Sequence, residues 1–159
     1  MSIPPPPATP ETARTGATPG PIGLGPAPRK LFQLQLPRPA NQKTNIWLVM
    51  ARVIVHNNDG NAQDAGAQLF VTGTSTPAGS NGTLIDEVSV RIPAVQGNPL
   101  AACLSLQAVI SRTDTITGIS VGNPVAPHNF VNLFASGFNC DARQVSMIAV
   151  DLGSVNLPS

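Results

Sequence analysis

From Leu31 onward, apolar residues recur at every second position in short runs, each closed by Pro, Gly or Asn. That alternation constrains the fold more than any other feature. Side chains alternate across an extended strand, whereas a helix face repeats every 3.6 residues. Phe32, Leu34 and Leu36 alternate with Gln33 and Gln35 until Pro37. The same pattern marks 46–56, 67–72, 84–92, 103–110, 116–121, 130–135 and 144–152 as strands. Between them lie turn residues such as Asn57-Asn58-Asp59-Gly60 and Gly122-Asn123-Pro124. At most one helical turn is expected, over 62–68. Eight short strands with turn signals between them predict an all-β, antiparallel β-sandwich, with an eight-stranded jelly roll fitting the count best.

The first thirty residues have a different composition. Pro4, Pro5, Pro6 and Pro7 are followed by five more prolines and four glycines before Arg29. Proline fixes φ and removes a backbone donor, so neither a helix nor a central paired strand is expected there. The segment reads as an extended arm, residues 1–30, preceding a sandwich domain, 31–159. Charge follows the same division. Residues 1–45 carry five basic residues against Glu11, a net +4, and the remainder carries four arginines against seven acids, a net −3. The arm is expected to dock on a neighbouring subunit through Ile3, the Pro4–Pro7 run, Ile22 and Leu24, with Arg29 and Lys30 supplying charge.

Two strands are apolar on both faces, 46–55 and 144–152. A strand in an isolated sandwich buries one face and shows the other to water. The second face, with Leu48, Met50, Ile54, Ile148 and Val150, is therefore expected to be a subunit interface, and the chain a homo-oligomer, with a trimer favoured.

Chemistry is sparse. The chain has two His and two Cys, with no His-x-His, His-Glu-x-x-His or Cys-x-x-Cys spacing, no Gly-x-Ser-x-Gly elbow and no phosphate loop. No catalytic residue, metal site or cofactor is expected. Asn57 to Asp64 offers oxygen ligands, but a calcium loop begun at Asn57 would hold Ala62 where glycine is required and Gln68 where glutamate closes the site, so it reads as a turn. Asp86 and Glu87 point to opposite faces of one strand; the inward one needs a partner, for which Arg91 or Arg52 is the expectation. Cys103 and Cys140 read as free thiols. Asn81-Gly82-Thr83 reads as a hairpin turn rather than a glycosylation site. Five basic residues spread over 45 are too few for a nucleic-acid stripe, and no apolar run approaches the ~20 residues of a membrane-spanning helix.

The double-sided strand Ile46 to Val53 and the terminal run Val145 to Gly153 resemble, in strand pattern, the bacterial C1q/TNF-like trimeric jelly rolls. An arm joined to a compact sandwich is similar to the decoration and cement proteins of tailed-phage virions. That resemblance implies a non-enzymatic virion protein, assembled in the host cytoplasm on a major capsid or other shell protein; from the sparse charge and short apolar runs, no nucleic acid or membrane partner is expected. The alternative is a carbohydrate- or receptor-recognising module of a surface or tail structure, located at the cell surface. With no Tyr and a single Trp, the aromatic platform such a site uses is not visible in the sequence. Trp47 exposed beside the Asn57–Asp64 loop would supply one.

Overall fold

In the computed structural model, residues 12–18, 21–36, 43–72, 82–94, 98, 100–113 and 130–156 are described. They form β1 (Thr12–Thr18), β2 (Ile22–Gly23), β3 (Arg29–Gln35), β4 (Lys43–Asn57), β5 (Gln63–Thr72), β6 (Thr83–Ile92), β7 (Leu100–Thr113), β8 (Phe130–Gly137) and β9 (Cys140–Asn156). No helix occurs among the described residues. One sheet runs β1-β9-β4-β7, with the short β2 also on β9; the other runs β3-β8-β5-β6. Every pairing is antiparallel. Leaving β2 aside, the two four-stranded sheets interleave along the chain in the strand order of a jelly roll.

The arm segment was expected to lie outside this sandwich. Instead β1 and β2, both before residue 30, pair with β9 of the same chain. β1 takes an edge position, where a strand without large apolar residues is tolerated because only one side needs ladder bonds. Leu24 is buried in the core, and its N–H donates to the Cys140 carbonyl at 2.9 Å. Gly137 N–H donates to the Gly25 carbonyl at 2.8 Å, which fastens the crossing from the first sheet to the second. The candidate strand 116–121 lies outside the described residues, as does Asn81. Residues 62–68, where one helical turn was allowed, belong to β5 from Gln63 onward.

Inward residues of the first sheet are Trp47, Val49, Val53 and Val55 of β4, Leu104, Leu106 and Ile110 of β7, and Val145, Met147 and Ala149 of β9. They meet Ala65, Ala67, Leu69 and Val71 of β5, Val131, Leu133 and Ala135 of β8, and Leu34 of β3. Alanines set opposite larger aliphatics let the two faces interdigitate at ordinary core density.

β9 changes phase on the way. Its inward residues are Cys140 and Ala142, then Val145, Met147 and Ala149, so the even positions give way to odd ones. The register on β4 shifts between Arg52 and Ile54, and Gln144 takes φ 51°. This is a β-bulge, one extra residue that restores the apolar side of both halves to the core. A second register shift lies between Ile46 and Trp47, opposite Gly153 and Asp151, where Gly153 takes φ 116°, a value glycine adopts without steric cost.

Candidate functional site

The outward side of the first sheet gathers the predicted interface residues. Leu48 lies opposite Val150, and Met50 opposite Ile148, while Ile54 lies opposite Arg143 across the bulge. On the other flank of β4, Leu48 faces Val109 and Met50 faces Gln107. Rows therefore read Val109–Leu48–Val150 and Gln107–Met50–Ile148, continuous across three strands. Met50 is 36% exposed, Val109 64% and Leu152 55%; Leu48, Ile54, Ile148 and Val150 are half-buried by their neighbours on the sheet. Beside the rows, Arg52, Ser105 and Ser146 leave a depression of about 510 Å³ bounded by Met50 and Ile148. Val109 was not anticipated, because its nearest strand neighbours on that face, Ser105 and Gln107, are polar and made β7 look one-sided.

The arm residues divide. Ile3, Pro4, Pro5, Pro6 and Pro7 lie outside the described residues. Ile22 is half-buried against its own core and Leu24 is part of that core. Arg29 and Lys30 are exposed on β3, and Arg29 donates from Nη1 to the Gly23 carbonyl at 2.8 Å.

One end of the sandwich is tied together by polar side chains. Asn57, buried at the end of β4, donates from Nδ2 to the carbonyls of Asn61 (2.9 Å), Ile92 (3.3 Å) and Pro93 (3.3 Å). Its Oδ1 accepts from Asp59 N–H at 2.9 Å. Asp59 accepts from Asn61 N–H at 3.0 Å and from Asn139 Nδ2 at 2.6 Å. The 57–61 segment is thus an Asx-built turn whose oxygens already have protein donors. The hydrogen bond from Asn139, followed by that from Asn61 N–H, holds the Asp59 carboxyl below its ordinary value of 3.8.

Asp141 lies on the outward face of the same end, opposite His56. Arg143 forks onto it, Nε to Oδ1 and Nη2 to Oδ2, both at 3.0 Å. Burial pushes this carboxyl up, but the Arg143 bonds, a bond from Asn58 and the nearby charges of Arg143 and His56 outweigh it, so the pKa falls below 3.8. Burial, reinforced by the negative charges of Asp141 and Asp59, pushes the Cys140 thiol up from 9.0. Cys140 faces the core while Cys103 is exposed on the outward face, and both are free.

Asp86 finds neither arginine. Its Oδ2 accepts from Gln107 N–H at 2.8 Å and its Oδ1 from Glu87 N–H at 2.9 Å. It therefore spans the side of the sandwich from β6 to the edge of β7 that no described strand pairs. Arg91 instead meets Asp64 at 3.4 Å in the open, a contact of little energetic weight. Arg52 has no partner among the described residues. No group of three or more His, Cys, Asp or Glu residues fit to hold a metal occurs among the described residues.

Trp47 is fully buried, at the opposite end of β4 from the Asn57 turn. Another aromatic occupies the place considered for it: Phe138, in the turn from β8 to β9, is 54% exposed. It adjoins Asn139, which holds Asp59.

No family model matches the chain, and no curated protein matches it. Among solved structures, a chain of the T13 IBDV viral particle is similar with a TM-score of 0.44 and 11% identity, over 94% of this chain and 35% of that one. A chain of the infectious bursal disease virus Gt strain gives 0.30 and 13%, over 96% and 36%. The protein spans about a third of the length of these chains.

Proposed function

We propose that the chain is a non-enzymatic shell-building protein, a virion decoration or cement protein assembled in the host cytoplasm, whose copies meet through the outward face of the first sheet. The observation that carries this reading is the direct cross-strand register of Leu48 with Val150 and Met50 with Ile148, extended by Val109. Fully burying an exposed Val, Leu or Met side chain contributes about 1.5–3 kcal/mol. Because the sheet already covers part of each, the five together supply roughly 5 kcal/mol per contact. Association itself costs about 4–15 kcal/mol. The face alone thus gives weak pairing, and a second, tethered contact is needed to make it stable. Residues 1–11, with the Pro4–Pro7 run and Ile3, are suited to that role as a strap onto a neighbouring copy or a major capsid protein. A trimer is the favoured assembly.

Light scattering tests this on the full chain, on a chain beginning at Thr12, and on Met50→Asp/Ile148→Asp. The expected result is a defined oligomer that dissociates in the double variant while circular dichroism stays unchanged. If the Thr12 chain dissociates as well, the strap acts between copies. If it does not, the strap reaches a different protein. A full chain that is monomeric at all concentrations and does not bind capsid shells would refute the proposal.

A further inference from the structure

The outward face of the second sheet carries a cleft of about 660 Å³ that the shell reading does not use. Its floor is one cross-strand row of small residues, Ser136–Gly66–Ser89, on β8, β5 and β6. Because none of the three rises far from the backbone, the sheet is hollowed there. Polar groups stand along it: Asp64 one row toward the Asn57 turn, Gln68 and Glu87 one row the other way. Phe138, with Pro26 and Pro28, makes the apolar wall.

These groups are largely uncommitted. The hydroxyls of Ser89 and Ser136 have no hydrogen-bond partner among the described residues. Gln68 reaches Glu87 at only 3.3 Å, and Asp64 reaches Arg91 at only 3.4 Å. Each can exchange its present contact for a ligand hydroxyl with little loss.

We infer that this cleft binds a neutral saccharide. A sugar ring has hydroxyls around its rim and a patch of C–H on one face. It therefore calls for carboxylate, amide and hydroxyl groups around a shallow floor, together with one exposed ring to cover the C–H patch. The cleft offers that combination: two carboxylates, a carboxamide and two serines around glycine, with the half-exposed Phe138 at the side. Neutral sugars are favoured because no Lys or Arg lines the cleft; the nearby Arg91 is already paired with Asp64, and Glu87 disfavours sialate or sulfate. The proline rings hold the wall in place before binding, which lowers the ordering cost. A polyproline strap is a poorer occupant, since such segments dock on grooves lined by several aromatics. The inference is independent of the shell proposal, because the cleft lies on the opposite sheet and a monomer would bind equally well.

The test is an amide-resolved NMR titration of the full chain with lactose, maltose and diacetylchitobiose at millimolar concentration, with 3′-sialyllactose and a peptide of residues 1–11 as comparisons. Saturable shifts at Gly66, Ser89, Ser136 and Phe138 are expected with at least one neutral sugar. Phe138→Ala is expected to weaken that binding about tenfold. Gly66→Val is expected to abolish it. An added Cβ at Gly66 meets only Ser136 Oγ at 3.4 Å and the Val88 carbonyl at 3.5 Å, so the strand accommodates it while the γ-methyls fill the floor. Circular dichroism would confirm that both variants fold. The inference is overturned if no neutral sugar shifts these amides, if both variants bind as the parent does, or if sialyllactose or the peptide binds them more tightly.

Discussion

Replacing Asn57 by Ala removes one buried amide that serves four backbone groups. Two of its bonds, to the Asn61 carbonyl and from Asp59 N–H, are 2.9 Å long; the two to Ile92 and Pro93 are 3.3 Å and weaker. A typical hydrogen bond contributes about 0.5–1.5 kcal/mol net, and a buried group left without a partner costs about 1–3. Taking about 1 kcal/mol for each short bond and the same again for the stranded Ile92 carbonyl gives a loss of about 3 kcal/mol. For a domain of this size that corresponds to a fall in Tm of about 6–12 °C. Asn61→Ala is the control, because its exposed side chain makes only a 3.3 Å bond to Asp59, and it should stay within about 2 °C of the parent. Asn57→Asp should be worse than Asn57→Ala, since it aims a carboxylate oxygen at three carbonyls. Scanning calorimetry of the three variants at neutral pH decides the matter. If Asn57→Ala melts no lower than Asn61→Ala, the amide is not what holds β4 to the end of β6.

Other outcomes follow from the same contacts. Because Asp141 and Asp59 sit below 3.8 in the folded protein, the stability they give is present above that value and is lost as pH falls through their folded pKa values. Tm should therefore hold from neutral pH to about pH 5 and drop below about pH 4, less steeply in Asp141→Asn. A thiol reagent should modify Cys103 in the native protein and Cys140 only after unfolding; prompt reaction of both would contradict the buried position of Cys140. Gly82→Ala should lower stability by about 1–3 kcal/mol in urea unfolding, because its Cβ would stand 2.7 Å from the Val71 carbonyl oxygen and from Thr72 Cγ2. Gly66→Ala, with ordinary contacts, should be close to neutral.

The all-β sandwich was legible because its inward residues follow period two, as in Trp47, Val49, Ala51, Val53 and Val55. That strands 46–55 and 144–152 are apolar on both faces was legible in the same way, but their pairing as β4 and β9 was not, because alternation does not say which strands adjoin. β1 was not legible: Thr-Ala-Arg-Thr-Gly-Ala-Thr has no apolar alternation, and what makes it a strand is the edge that β9 offers. The first four residues of β9, Cys140 to Arg143, are hidden in the sequence for a specific reason. The Gln144 bulge breaks the phase, so Cys140 and Ala142 look unrelated to Val145 and Met147. Asp86 was expected to pair with an arginine because charge pairing is visible in sequence, whereas a backbone N–H on a distant strand is not. Nothing in the sequence marks Phe138 as a cleft wall, because Gly66, Ser89 and Ser136 come from three separate strands.

The register of Thr12 with Val150 also sets a schedule. Synthesis proceeds at about 5–20 residues per second, so Thr12 waits roughly 7–28 s before its partner exists. β4 likewise lacks one flank until β9 emerges. Such non-local pairing makes for slow folding, with strand edges open in the interval. Thr, Ala and Gly in β1, with Pro19 and Pro21 behind it, give that waiting segment little tendency to stick to other nascent chains. The composition that hid β1 from pattern reading is thus also what keeps it safe until the last strand arrives.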